Sequence, residues 1–459
     1  MVILITDALV FFLLSVTAVL AVYVSGKRHL RESFRRVLQS KTALASGTLL
    51  LAYLLIGTLD CIHFRATQSD TQSSADIVSV LDVVLSPLRH SDEKTFSAPL
   101  SIYSFAKESL SNDKGQVIRD YPRLLNAGKH LADPARYKND ITQRAVLGVL
   151  WGLLCWSVLL AAILSINKLC GWQYNNIKKI LNSQSDIPWH VILYVVLILF
   201  LVIAVVVNFV PQYHVFGTDQ VGEDVLYQCL KSIRTGLVIG TVTTLIMLPI
   251  SLLFGIAAGY FGGWIDDLVQ FIYTTLNSIP GVLLIASMVL VMQTYMANHA
   301  ESFDNLLIRA DVRLVALCFI LGITSWTGLC RLLRAETLKV REMDYVIAAR
   351  VSGVAHFKIL LKHILPNVMH IVLIAVVLDF SGLVLAEAVL SYIQIGVEPS
   401  TYSWGNMINS ARLEMAREPV VWWSLTAAFV SILGLVLSAN LFADVVRDAL
   451  DPRTRRGRV

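Results

Sequence analysis

Three histidines have the residue type and the spacing that could bind a metal ion. His356, His363 and His370 are each seven residues apart, so on one continuous helix they would share a face. Pro366 lies between them and is expected to break that helix. No acidic ligands accompany the histidines, and no two cysteines have metal-ligand spacing. We therefore expect no metal site, and we expect the cysteines to lie in apolar surroundings.

The motifs of nucleotide binding and hydrolysis are also missing from the sequence. There is no G-x-x-x-x-G-K-[ST] loop, because Gly26-Lys27 and Gly128-Lys129 lack the glycine spacing and the hydroxyl residue. There is no G-x-S-x-G elbow and no H-E-x-x-H pair. The sequence thus predicts no catalytic residue, no cofactor of the chain's own and no enzymatic activity.

The most informative pattern lies in the segment 344–367. Two adjacent small residues, Ala348 and Ala349, would let another surface approach closely. Gly353 permits a sharp turn without a Cβ penalty, and Pro366 fits the start of a new helix, where a missing N–H does no harm. We expect a docking element whose key residues are Ala348, Ala349, Gly353, Ile364, Leu365 and Pro366.

This segment resembles the EAA loop of ABC-importer permeases, in which a short cytoplasmic helix docks into a groove on an ATPase subunit. Ile347 stands where that pattern usually has Glu, and it cannot make the charge contact expected of that Glu. The alternative interpretation is an ordinary basic loop between two membrane helices.

Other stretches continue the resemblance, in the order in which the family has them. They are 216–226, 255–264 and the long run 385–407. Together with the basic approach to the second span they resemble the C-type permease subunit of dipeptide and oligopeptide importers. Within 216–226, Thr218 or Asp219 could cap a short amphipathic helix lying along the membrane surface.

The composition predicts a membrane protein. Hydrophobic residues make up 56% of the chain and charged residues only 15%, whereas soluble domains carry more charge. Nine stretches approach the length needed to cross a bilayer. We expect an all-α polytopic protein, and the resemblance implies that it contains an ABC-importer permease core of about five helices plus an N-terminal span. The predicted spans are 2–24, 43–62, 145–166, 189–209, 234–258, 268–294, 313–332, 367–392 and 421–443.

The distribution of basic residues predicts the orientation. Five segments, 101 residues in all, hold 21 of the 38 Lys and Arg, whereas three short loops on the other side hold 6 in 70 residues. The positive-inside rule places the richer set in the cytoplasm. We therefore expect a multi-pass protein with its N-terminus outside and its C-terminus inside, and the resemblance implies the bacterial cytoplasmic (inner) membrane. The richer set comprises 25–42, 167–188, 259–267, 331–366 and 444–459.

We expect five regions along the chain. An N-terminal membrane module of two spans is followed by a periplasmic insertion, by two further spans with a cytoplasmic loop, by the permease core and by a basic cytoplasmic tail. Their expected bounds are 1–62, 63–144, 145–209, 210–450 and 451–459. The return of the chain to the same side suggests that deleting about 64–209 would leave a foldable core. In the insertion, residues 76–85 are expected to form a helix that Pro87 ends.

One acidic residue, Glu387, lies inside an apolar stretch. An ionisable side chain at membrane depth is costly, so it should face the bundle interior or water. Two interpretations stay open: Glu387 positions a gate or lines the pathway, or it bonds a neighbouring helix.

The resemblance implies a permease subunit of a peptide-type ABC importer. The expected partners are a second homologous permease subunit, two ATPase subunits that bind ATP and Mg, a periplasmic solute-binding protein and the lipid bilayer. No basic patch interleaved with aromatics points to nucleic acid. One alternative is a permease-like membrane scaffold or sensor that transports nothing. Another is a secondary transporter, but its paired interrupted helices in two inverted halves are not evident.

Overall fold

The computed structural model describes residues 4–25, 35–65, 77–111, 117–131, 133–169, 187–299 and 306–450. The expected basic tail 451–459 and most of the expected cytoplasmic loop 167–188 lie outside these ranges.

Helices dominate the described chain. In order they are α1 (Ile5–Ser25), α2 (Lys41–Asp60), α3 (Val80–Val84), α4 (Ser86–Arg89), α5 (Tyr137–Leu169), α6 (Trp189–Phe209), α7 (Val225–Phe261), α8 (Gly263–Ser278), α9 (Gly281–Asn298), α10 (Leu306–Arg341), α11 (Asp344–Val351), α12 (His356–Ile359), α13 (Leu365–Tyr392), α14 (Trp404–Glu414) and α15 (Trp423–Leu450).

Strands occur in the predicted insertion, in two antiparallel pairs. Strand β1 (His63–Arg65) pairs with β2 (Ile77–Ser79), and β3 (Glu108–Ser111) pairs with β4 (Val117–Asp120). These short pairs are the exception to the expected all-α class.

Seven helices of the described chain are long and apolar enough to cross a membrane. They correspond to seven of the nine predicted spans. The other two predicted spans, 2–24 and 313–332, fall on the helices α1 and α10, which are not among the seven. The predicted count of nine is therefore close to the structure but is not confirmed by it.

The span predicted over 268–294 is two helices rather than one. Helix α8 ends at Ser278, Ile279 is extended at φ −92 and ψ 130, and α9 begins at Gly281. The cause is Pro280, because the residue before a proline avoids the α region.

The described chain divides into two compact units. The first consists mainly of residues 35–234 and 402–438, and the second of 3–34, 235–401 and 439–459. The predicted permease core 210–450 thus contributes to both units. Its segments 210–234 and 402–438 group with the predicted insertion.

In the first unit, α5 and α6 form a closely packed helical hairpin. A Cβ added at Gly148 would lie 2.7 Å from Val205 Cα, and one added at Gly152 would lie 3.1 Å from Leu201 Cα. Two glycines four residues apart let the two backbones approach, as in other small-residue contacts between membrane helices.

The segment 76–85 differs from its prediction. Residues 77–79 form strand β2, and the helix α3 begins only after Ser79. Ser79 and Asp82 form a capping box, which fixes that start. Pro87 lies in the first turn of α4 and begins that helix rather than ending the previous one.

The segment 216–226 also differs, because it contains no separate surface helix. Asp224, and neither Thr218 nor Asp219, caps the following helix: its Oδ1 accepts from Leu226 N at 2.8 Å and Tyr227 N at 3.3 Å. Residues 225–229 are therefore the first turn of the 37-residue helix α7.

In the second unit, the apolar faces of α7, α8, α10 and α13 meet in one core. Its fully buried members include Met247, Cys330, Leu333 and Val368. A smaller core joins α7, α9, α10 and α13 around Ile239, Leu317 and Leu321.

Candidate functional site

The predicted docking segment is a helix, a glycine turn and a second helix. After α11, the N–H of Val354 bonds Ala349 O and the N–H of Gly353 bonds Arg350 O, both at 3.1 Å. This pair of bonds is a Schellman motif. Gly353 has φ +73, a conformation that costs other residues about 1–2 kcal/mol. The glycine therefore supplies the sharp turn for which the sequence singled it out.

Three buried side chains anchor this helix pair to the second unit. Val346, Ile359 and Ile364 are at most 1% exposed and belong to the core shared with α7 and α10. The Tyr260 hydroxyl lies 2.8 Å from His356 Nδ1. The segment is thus held as a rigid part of the unit.

The opposite side of the segment presents large apolar groups to solvent. Val351 is 83% exposed and Phe357 is 72% exposed. Ile347 and Leu361 are also exposed. We call these four residues, Ile347, Val351, Phe357 and Leu361, the exposed ridge. Ala348 is exposed beside it and Ala349 is half-buried against the core.

Pro366 lies in the first turn of α13, as predicted, but the helical path is not broken there. Residues Leu360–Ile364 form a π-helical turn between α12 and α13. That turn accommodates the proline, which can neither donate a hydrogen bond nor tolerate the usual carbonyl position. The expectation that Pro366 would break the helix carrying the three histidines is therefore wrong. Ile364 is buried and Leu365 half-buried.

Glu387 is 1% exposed and lies in α13. Its Oε1 accepts a hydrogen bond from the Ser391 hydroxyl at 2.7 Å. Ser391 in turn packs against the tight turn at Gly396, where a Cβ would overlap its hydroxyl.

Two ion pairs in the second unit were not predicted from the sequence. Arg334 Nη2 lies 2.7 Å from Asp266 Oδ2, and Arg313 Nη1 lies 2.6 Å from Glu398 Oε2. The Arg334 hydrogen bond holds the pKa of Asp266 below its ordinary value. The partners are distant in sequence, so no local pattern pointed to either pair.

A buried charge cluster in the first unit was also missed. His214 Nδ1 lies 2.7 Å from Asp224 Oδ2, and Nε2 lies 3.6 Å from Glu93 Oε1. Burial alone lowers the pKa of His214, but the two carboxylates outweigh burial and raise it to about 9. Glu93 also accepts from the N–H groups of residues 125–127.

Comparison with known proteins assigns the chain to a family. A model described as "Binding-protein-dependent transport system inner membrane component" matches residues 251–456. The oligopeptide transport system permease protein OppC of Haemophilus influenzae is 33% identical over 244 residues, which cover 53% of this chain and 71% of that protein. The chain belongs to this family of ABC-importer permeases. The matched range contains the predicted docking segment 344–367 and the run 385–407.

A further relative is also a peptide transport permease by name. The dipeptide transport system permease protein DppC of Lactococcus lactis subsp. cremoris is 30% identical over 240 residues, 52% of this chain and 64% of that protein. This alignment spans just under two thirds of the relative's length. A solved structure of the MetNI methionine ABC transporter in an inward-facing conformation aligns with a TM-score of 0.34 and 17% identity, covering 50% of this chain and 96% of that chain.

Proposed function

We propose that this permease passes peptides across the inner membrane, with ATP and Mg bound by separate ATPase subunits. The peptide substrate is supported by the printed names of the relatives, which are dipeptide and oligopeptide transport permeases. A solute-binding protein would deliver the peptide, in keeping with the family's description.

The observation that carries the proposal is the exposed ridge on an anchored helix pair. Val351 and Phe357 together present apolar surface that water penalises, while Val346 and Ile359 below them are buried. Large exposed apolar groups on a rigid support mark interaction sites. The ridge, with Ala348 beside it, would fit a groove on an ATPase subunit. Ile347 would contribute apolar contact where the family pattern has a charge.

A second permease subunit would pack against α9. Only Val289 and Met296 of this helix are buried, while Leu283, Leu290 and Val291 are at least 56% exposed. The remaining exposed surface would face lipid.

Coupling would follow from the rigidity of the docking segment. Its buried anchors contact α7, α10 and α13, so a displacement of the ridge would move these helices together. Closure of the ATPase subunits would then switch the paired bundles between inward and outward access. This requires residues 331–366 and the C-terminus to be cytoplasmic, with the N-terminus outside. Glu387 would help set the gate through its contact with Ser391.

Copurification tests the docking surface. We expect Val351→Asp and Phe357→Asp to abolish recovery of the ATPase subunits with the detergent-purified chain, because each places a charge against a packed apolar surface. Val221→Asp is the matched control, since Val221 is 75% exposed on the other compact unit.

The result against the proposal would be full recovery of ATPase subunits with both ridge variants. Membrane insertion of each variant is measured in the same cells, because a defect in insertion would also reduce recovery. Absence of ATPase subunits from the wild-type preparation would favour the scaffold or sensor alternative.

A further inference from the structure

A second acidic residue lies inside a membrane span, at the middle of its helix. Asp379 is in α13 (Leu365–Tyr392), which forms most of the candidate span His356–Tyr392. At about 1.5 Å per residue, roughly 20 Å of helix separates Asp379 from either end of α13. The hydrocarbon core of a bilayer extends only about 15 Å to each side of its midplane. A span made by α13 therefore places this carboxyl group deep in the membrane.

Asp379 lies on the packed side of α13. Val372, Ala375 and Leu383 are seven residues before it, four before it and four after it, so they share its face. All three are buried, Ala375 in the larger core of the second unit and Leu383 in the smaller one. The carboxyl group therefore points towards the other helices of the unit, between these two cores. The open face of α13 is formed by other residues, among them Leu373, Leu378, Leu385 and Val389.

A break in a neighbouring element falls between the same two cores. Leu276 at the end of α8 packs against the larger core, and Ile285 on α9 packs against the smaller one. The extended residue Ile279 separates the two helices. Apolar packing is thus interrupted at the level of Asp379 in two elements, as it is around the midplane binding sites that discontinuous helices form in transporters.

No side chain of the described ranges neutralises Asp379. It has no hydrogen-bond or ion-pair partner among the described residues, whereas Glu387 on the same helix accepts from the Ser391 hydroxyl. Asp379 is also half-buried rather than enclosed by packing. An ionised carboxylate without a partner is costly at membrane depth. Asp379 therefore requires water or a cationic group beside it.

We infer that Asp379 binds the N-terminal ammonium group of a peptide in transit through the membrane. This group is largely protonated at neutral pH and is itself costly to remove from water. The attraction between ammonium and carboxylate offsets the desolvation of both. Every unmodified peptide has the group whatever its sequence, so one carboxylate would serve varied peptides. The described residues contain no cluster of three His, Cys, Asp or Glu that could hold a metal ion there instead. This inference rests on the proposed importer function.

Uptake into proteoliposomes tests the charge of Asp379. The vesicles contain the whole transporter and are supplied with its solute-binding protein and with alanine tripeptide. We expect Asp379→Asn to lower the uptake rate by at least about tenfold, because removing one partner of a desolvated ion pair is strongly unfavourable. Asp267→Asn is the matched control, since it makes the same change at an exposed carboxyl group near the start of α8, and it should leave uptake unchanged.

A labelling experiment measures occupancy of the site without the solute-binding protein, so that recognition by that protein does not contribute. The wild-type complex in nanodiscs is treated with dicyclohexylcarbodiimide, which modifies carboxyl groups in apolar surroundings, and labelling of Asp379 is quantified by mass spectrometry. We expect alanine tripeptide, at a concentration well above its Kd, to lower this labelling by at least about threefold. N-acetylated alanine tripeptide, which lacks the ammonium group, should leave it unchanged.

Four outcomes would overturn the inference. One is unchanged uptake in Asp379→Asn, and another is equal labelling of Asp379 in the presence of the two peptides. A third is the absence of labelling without peptide, which would show that the carboxyl group is already engaged in the assembled transporter. The fourth is loss of the second permease subunit from the Asp379→Asn preparation, which would make Asp379 a subunit contact. Each leaves the importer function standing, whereas a wild-type complex without ATPase subunits or uptake would refute both.

Discussion

At the residue scale, one glycine decides the shape of the proposed docking segment. Gly353 has φ +73, and no atom lies within 4 Å of a Cβ added there. Any side chain at this position is therefore opposed by backbone strain and not by a clash with a neighbouring atom. We expect Gly353→Val to cost about 1–2 kcal/mol of local stability and to reduce ATPase-subunit recovery and peptide-stimulated ATP hydrolysis.

The matched control is Gly263→Val. Gly263 also has a positive φ, +59, with nothing within 4 Å of its Cβ position, but it is the first residue of α8. Equal effects of the two substitutions on ATPase recovery would show that strain in general, rather than the turn at Gly353, causes the loss.

A second prediction at this scale concerns pH. Because the pKa of His214 is raised to about 9 in the folded unit and is about 6.5 in an unfolded chain, protonation stabilises the folded state. That contribution is complete below about pH 6.5 and is lost as the pH rises through about 9. It is on the order of 3 kcal/mol. We expect the unfolding temperature of the purified wild type to fall across this window.

The comparison for this prediction is the variant His214→Gln, whose side chain cannot titrate. Its unfolding temperature should change less with pH than that of the wild type. His130→Gln serves as a control, because His130 contacts Asp140 at 3.0 Å in a half-exposed pair. A wild-type profile parallel to that of His214→Gln between pH 6.5 and 9 would contradict the assignment.

At the scale of elements, the contact between α5 and α6 depends on the absence of a side chain. The 2.7 Å separation between a Cβ at Gly148 and Val205 Cα is too short for any real contact, and the obstacle is backbone. Gly148→Ala should therefore push the helices apart and destabilise the first unit by about 1–3 kcal/mol. The unfolding temperature in detergent measures this.

Gly328→Ala provides the control, because Gly328 is also helical and has nothing within 4 Å of its Cβ position. It should be neutral or slightly stabilising, since alanine favours the helix by up to about 1 kcal/mol. If both substitutions lowered the unfolding temperature equally, the close approach of α5 and α6 would not be the cause.

At the scale of the whole molecule, the predicted insertion is part of a compact unit with the family-like segment 216–226. The Thr218 hydroxyl donates to Thr95 O at 2.8 Å, and Ser97 N donates to Thr218 Oγ1 at 2.7 Å. Lys231 Nζ on α7 lies 2.9 Å from Asp82 Oδ1. The earlier expectation that deleting 64–209 leaves a foldable core overlooks these contacts.

We now expect that deletion to yield a protease-sensitive chain, because it leaves buried polar groups without partners. The matched control removes only the hairpin 108–120, whose described side chains are largely exposed, and should keep protease resistance. A protease-resistant, ATPase-binding product of the large deletion would instead restore the view of the insertion as dispensable.

The sequence by itself determined the class of the protein and the site of its most specific segment. Long apolar stretches can satisfy their backbone groups in a membrane only as helices or closed barrels, so most spans could be placed from hydropathy. Gly353 was identifiable because few residues tolerate its φ. The exposure of Val351 and Phe357 could not be predicted, because an apolar residue on a short helix looks the same in sequence whether it is buried or exposed.

Only the tertiary structure decided which distant residues meet. Arg334 lies beside Asp266, and His214 lies beside Asp224 and Glu93. Folding brings these residues together although their positions share no local sequence pattern. Local propensity acts over a few residues, whereas burial is set by all the elements that pack around a position.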